Sequence, residues 1–201
     1  VLAEAGDKVV VGRYGEDRSV YRSAAFETAD PAERRTIHIG IDLFAPADDP
    51  VLAPLEGTVA DIGHNVVPYG FGSIVILEHA TDRGVKFWTL YGHLSAKSLA
   101  GLKIGQRLGV GEVIGKLGRH EENGEWPPHL HFQIMTDLCG WKADEVIGVA
   151  ARSQWDVWGS VCPSPNVILG LPVNCSAVVA RDADWLRRER HYMLGRSLSL
   201  A

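Results

Sequence analysis

Five side chains in three short segments have the types and spacings to act together on one small ligand. In "RTIHIGIDLFAP" (Arg35 to Pro46), Ile37, Ile39 and Ile41 alternate with His38, Gly40 and Asp42. Successive strand side chains point to opposite faces, so one face carries three isoleucines. The other carries His38 and Asp42, four residues apart, with Gly40 clearing the surface between them. In "PPHLHFQIM", His129 and His131 share one strand face while Leu130 and Phe132 share the other, so two imidazoles can converge above the sheet. His93, in "LYGHLS", follows a third strand-like run, "VKFWTL".

Taken singly, a histidine is more often a surface or hydrogen-bonded structural residue than a ligand. Of the eight in this chain, His64, His79, His120 and His191 carry no further signal and read as structural. The spacing of the other four, together with Asp42, points elsewhere. A catalytic zinc ion takes three N or O protein ligands and keeps a fourth position for water. Two histidines and one carboxylate meet that need. Such an ion lowers the pKa of its water from about 16 to near 7 and polarises a carbonyl oxygen. The remaining histidines can then move protons and stabilise a developing oxyanion. His38 and Asp42 read as two sides of a metal cage, and the spacing permits either His129 or His131 as the third. Glu121, Glu122 and Glu125 read as a solvated loop.

Positioning these residues requires a sheet. From Ile37 to Ile134 the chain runs through strand-like segments punctuated by glycine: "TIHIGIDLF", "PVLAPLEGTVADIG", "GSIVILEHA", "VKFWTLYGHL" and "HLHFQIM". "GLKIGQRLGVGEVIGKLG" adds closely spaced turns and short strands. Few helical windows intervene, so the expected core is an antiparallel sheet. After Asp137 the pattern changes. "EVIGVAARSQWDVWGSV" is ambiguous, and "CPSPNVILGLP" reads as an extended, proline-bounded loop. "SAVVARDADWLRRERHYML" sets Val178, Val179, Trp185, Leu186 and Met193 among charges, as an amphipathic helix does.

Composition narrows the function classes. With 201 residues, 46% hydrophobic and 22% charged, the chain can bury a real core and is not a disordered one. A net charge of -5 with scattered Lys and Arg argues against nucleic acid as a partner. No apolar run approaches the roughly 18 residues of a membrane span. Cys139, Cys162 and Cys175 form no C-x-x-C pair and read as buried thiols rather than zinc ligands or a disulfide framework. The amino-terminal stretch has no basic region followed by an apolar core and so does not read as a signal peptide; it also lacks an initiator methionine, which suggests a removed leader or a piece of a longer chain.

The blocks "HIGID", "YGHL" and "HLHF", in that order, resemble the signature blocks of the lysostaphin-like (LytM-type) zinc endopeptidases. "PVLAPLEGTV" and "VPYGFGSIVILEH" resemble that family's strands, so the likeness covers roughly Ile37 to Met135. The resemblance implies a mainly β, antiparallel sheet-rich single domain with a C-terminal helical appendage. Its expected parts are an N-terminal extension at 1–30, a metallopeptidase core at 31–140 and a C-terminal extension at 141–201 with a helix near 178–193. It further implies that His38, Asp42 and His131 ligate Zn2+, and that His93 and His129 form the catalytic pair, His129 as general base. Tyr69, in "PYGFG", either stabilises the tetrahedral intermediate from the groove or packs as a turn aromatic. The implied substrate is a peptide or peptidoglycan fragment.

Two features depart from the family pattern. Where relatives approach the last His-x-His through a small glycine-containing stretch, this chain has "RHEENGEWPPHLHF", and Trp126 with two prolines should reshape the groove. The tail "WLRRERHYMLGRSLSLA" resembles the joint in large fusion proteins, where such a domain lies between phosphotransferase-like and class-III aminotransferase-like domains. That context implies covalently fused neighbours and a cytoplasmic setting; without it the setting is periplasmic or secreted. The rival reading is a non-hydrolytic metal-binding or regulatory module, and retention of all five expected side chains disfavours it. A swinging-arm carrier, suggested by "APLEGTVADI", lacks a lysine at a hairpin tip.

Overall fold

The computed structural model describes residues 10–22, 26 and 30–171. Its strands are β1 (Val10–Gly12), β2 (Arg35–His38), β3 (Ile41–Phe44), β4 (Pro50–Leu52), β5 (Gly57–Asn65), β6 (Gly72–Ala80), β7 (Lys86–Leu94), β8 (Arg107–Leu108), β9 (Val113–Lys116), β10 (His129–Met135) and β11 (Val149–Ala151). Seven of them form one sheet in the order β1-β3-β10-β7-β6-β5-β8, and every adjacent pair is antiparallel. Two further antiparallel pairs, β11-β2 and β4-β9, flank it. The fold is therefore mainly antiparallel β, as the segment pattern predicts.

Strand β6 reads as a continuous apolar run because both of its faces are covered. Ile74 and Ile76 pack with Ile37, Ile39, Ile41, Leu90 and Met135 on one side. Val75 and Leu77 pack with Val59, Tyr91, Leu94 and Phe132 on the other. The three alternating isoleucines of the first motif thus form part of the first cluster. Its outer layer comes from the segment after the last long strand: Trp158 and Val161 of α1 (Trp155–Val161) cover it.

The run Arg35 to Phe44 is not one strand. It is divided at Ile39 and Gly40, with β2 pairing to β11 and β3 pairing to β1 and β10. The break follows from close approach: a Cβ on Gly40 would lie 2.9 Å from the Phe132 carbonyl oxygen, so the chain bends where it passes β10. The stretch "CPSPNVILGLP" is also not wholly extended. It holds one helical turn, α2 (Asn166–Leu169), closed by Gly170 in the left-handed conformation at φ 63°. The side chain of Asn166 ties that turn further, its Oδ1 accepting from the Leu171 N–H at 2.7 Å. Cys139 and Cys162 are buried, as the sequence suggests. Cys175 and the amphipathic stretch 178–193 lie outside the described residues, and among the described residues no helix is long and apolar enough to cross a membrane.

Candidate metal centre

Strand register places one row of residues across four strands. Gly12 on β1 opposes Asp42 on β3, Asp42 opposes His131 on β10, and His131 opposes Gly92 on β7. The outer two positions are glycines because other side chains need their space. A Cβ on Gly12 would stand 2.4 Å from the Arg18 guanidinium, and one on Gly92 would stand 2.8 Å from the Phe71 ring. His38 reaches the same point from the end of β2. Gly40 lets it, since a Cβ there would lie 2.5 Å from the His131 ring.

Three side chains converge there. His38 Nε2 lies 3.0 Å from His131 Nδ1 and 3.1 Å from Asp42 Oδ1, and His131 Nδ1 lies 3.1 Å from the same oxygen. One donor atom from each of the three falls within 4.8 Å of the others, the spread expected of atoms sharing one cation. All three residues are buried. The second ring nitrogens have acceptors: the Arg13 carbonyl at 3.0 Å from His38 Nδ1, and Gln133 Oε1 at 3.0 Å from His131 Nε2. In the tautomers that donate to those acceptors, His38 Nε2 and His131 Nδ1 carry the lone pairs a metal ion needs; protonated instead, the same two atoms are within hydrogen-bonding distance of Asp42 Oδ1, and Arg18 Nη2 stands 3.0 Å from His38 Nδ1. Two imidazole nitrogens and one carboxylate oxygen are a donor set that suits zinc.

His93 and His129 stand beside this cluster. Regular alternation would turn His93 away from the face that Gly92 shares with His131. Its φ of 64° re-aims the ring, which sits 4.2 Å centroid to centroid from that of His129. His93 Nδ1 donates to the Asn123 carbonyl at 2.9 Å, and His129 Nδ1 donates to the Pro127 carbonyl at 2.6 Å. Each therefore presents Nε2 as a free acceptor, and His129 Nε2 lies 3.8 Å from Asp42 Oδ1. Phe44 stacks on His129 at 4.9 Å and holds that ring from behind.

Electrostatics agree with these roles. Burial lowers the pKa of His93, and neighbouring His129 and His131 lower it further, to well below the usual value. Burial lowers His129 and His131 as well, despite the nearby Asp42 charge. Burial alone would raise the Asp42 carboxyl. Attraction to His38 and hydrogen bonds from His131 and His38 outweigh it and hold the group well below the carboxylate range.

A cavity of about 510 Å³ opens over the cluster, walled by aromatic rings. Tyr69, at φ 64° and 40% exposed, is on its rim and packs at 5.3 Å against Trp126. Tyr69 is thus a ring packed in an aromatic cluster whose edge faces the groove. Tyr21 and Phe26 complete the cluster, Tyr21 against Trp126 and Phe26 against Tyr69. Histidines His64 and His79 lie elsewhere: His64 bonds Ser73, and buried His79 bridges the Glu56 carbonyl and Thr89.

Two residues of this site escape sequence reading. Gln133 was detectable, because it continues the His129–His131 face at the same two-residue spacing. Arg18 was not. Its guanidinium donates to Asp42 Oδ2 at 2.6 Å, from a segment whose sequence carries no motif.

A family profile described as "Peptidase family M23" matches residues 36–145. The chain is 40% identical over 97 residues to the DD-carboxypeptidase/endopeptidase Mpg of Neisseria meningitidis, covering 48% of this chain and 20% of that protein. It is 36% identical over 97 residues to a protein of Haemophilus influenzae named as an uncharacterized metalloprotease, covering 48% of this chain and 18% of that one. These matches thus span about a fifth of the relatives' length. Among solved structures, lysostaphin of Staphylococcus simulans aligns with TM-score 0.48 and 24% identity over 86% of this chain and 55% of that one.

Proposed function

The chain belongs to peptidase family M23, and from that premise we propose that it is a zinc metalloendopeptidase cleaving amide bonds in peptidoglycan-type peptides. The observation that carries this reading is the convergence of His38, Asp42 and His131 on one point, with two further imidazoles presenting free nitrogens beside it. In this reading His38 Nε2, Asp42 Oδ1 and His131 Nδ1 hold the zinc ion. Zinc bound there supplies the Lewis acidity that lowers the pKa of a water molecule and polarises the scissile carbonyl.

The protein's own groups handle the protons. His129, anchored by the Pro127 carbonyl and kept neutral by burial, accepts a proton at Nε2 from the attacking water and returns it to the leaving amine. His93, anchored by the Asn123 carbonyl, offers its own Nε2 beside His129 as a second proton acceptor, and only once protonated there does it donate to charge developing on the carbonyl oxygen. Tyr69 offers a hydroxyl from the rim of the groove. Aromatic walls exclude water around these groups and strengthen their electrostatic effect.

The Mpg relative's printed name includes endopeptidase activity, which supports a peptide-cleaving role. The resemblance of the 185–201 tail to a fusion joint supports covalently attached neighbouring domains. The test is to incubate the zinc-loaded protein with peptidoglycan fragments and with a peptide library, and to read products by mass spectrometry. New amide cleavage that disappears with a chelator and returns with zinc is expected. About one zinc per chain should be found, and none in His38→Ala or Asp42→Ala. His129→Ala should keep the metal and lose about 10²- to 10⁴-fold in hydrolysis. Zinc uptake without cleavage of any peptide would favour a non-hydrolytic module.

A further inference from the structure

The two oxygens of Asp42 face different partners. Oδ1 lies between His38 and His131, while Oδ2 accepts a hydrogen bond from Arg18 Nη1 at 2.6 Å. Arg18 is itself gripped on several sides. Its Nε donates to Glu16 Oε2 at 3.1 Å, its Nη1 to the Tyr21 hydroxyl at 3.3 Å, and its guanidinium lies 5.9 Å from the centre of the Tyr21 ring. Only 16% of the side chain is exposed. The space it fills exists because Gly12 lacks a Cβ, which would stand 2.4 Å from Nη2 and 2.9 Å from Asp42 Oδ2.

We infer that Arg18 is the resident counter-ion and positioning residue of Asp42: it neutralises the buried carboxylate in the metal-free protein and keeps Oδ1 turned toward the two imidazoles. A carboxylate at 2% exposure without a counter-ion would be severely destabilising, and breaking a buried pair by removing one partner leaves that uncompensated charge behind. Because the guanidinium takes Oδ2, Oδ1 is the oxygen left facing the two imidazoles. Arg18 also lies outside the stretch matched by the family profile, so the device belongs to this chain's own amino-terminal segment. The part of the inference that concerns the cation rests on the zinc reading above; the charge pairing does not.

Melting the full chain after chelator treatment tests the pairing, using Arg18→Met, Asp42→Asn and the double variant. Arg18→Met should lower Tm by on the order of 10 °C. In the Asp42→Asn background the same change should cost less than a third as much, because the charge to be neutralised is gone. Arg18→Lys should recover part of the loss, keeping the charge without the planar grip. Zinc alone should then raise the Tm of Arg18→Met by more than that of the wild type, since the ion replaces the missing charge. Should Arg18→Met fail to fold, the double variant is expected to fold. Equal melting of Arg18→Met and wild type overturns the inference, as does a loss that persists undiminished beside Asn at 42. A zinc response in none of the proteins overturns the metal reading while the coupling between positions 18 and 42 still stands or falls by itself.

Discussion

At the scale of single residues, the groups behind the ligands carry as much of the chemistry as the ligands do. Gln133 accepts the second N–H of His131 and passes its own amide to the Cys162 sulfur at 3.3 Å, so the imidazole is held through a chain of contacts into the core. Replacing Gln133 by Leu keeps the size and removes the acceptor. Zinc affinity, read by competition with a chromophoric chelator, should fall about 10- to 100-fold, whereas Gln133→Glu should retain it. Gly40 imposes a steric limit of a different kind. A methyl group there meets the His131 ring at 2.5 Å, so Gly40→Ala should displace that ring and reduce bound zinc, measured by elemental analysis.

At the scale of elements, the site depends on strand register and on two flanking segments. Antiparallel pairing of β3, β10 and β7 makes Asp42, His131 and Gly92 opposite neighbours, and a slip of one residue would send both ligands to the other face. The amino-terminal segment is tied in through Tyr14, whose buried hydroxyl donates at 2.6 Å to the Cys162 carbonyl at the end of α1, with its ring 5.3 Å from Trp155. Tyr14→Phe deletes that bond and leaves a carbonyl without it. A loss of about 1–3 kcal/mol in unfolding free energy by urea titration is expected. Zinc content should be unchanged, because neither Tyr14 nor Cys162 touches the donor atoms.

At the scale of the whole molecule, several buried histidines set the response to pH. His79, His93, His129 and His131 all have pKa values lowered by burial in the folded state. In the unfolded chain they take up protons near pH 6.5. Between that value and the lowered ones the unfolded state binds more protons, so stability rises with pH across the window and falls on acidification below about 6.5. Asp42, also lowered, adds a loss of the same sign at more acidic pH. Melting in the presence of chelator should therefore show Tm falling from pH 7.5 to pH 5. Zinc-bound protein should fall more steeply, since protons compete with the ion for imidazole nitrogen.

Much of this protein is legible in its sequence because its determinants are local. Two-residue alternation marks β3 and β10 and puts His129 with His131; glycine at 40 announces the clearance beneath the ring; order and spacing of three blocks indicate the family. Helical structure in 155–161 and 166–169 was harder to see, since short turns depend on packing and capping more than on periodicity. Contacts between atoms far apart along the chain are set by packing in three dimensions instead. His93 reaches the site through a left-handed backbone that alternation assigns to the opposite face, and the ring nitrogens are oriented by the carbonyls of Arg13, Pro127 and Asn123. Arg18 meets Asp42 across 24 positions. No pattern at either end encodes that meeting, because it arises from β1 lying against β3 with a glycine where the guanidinium must fit.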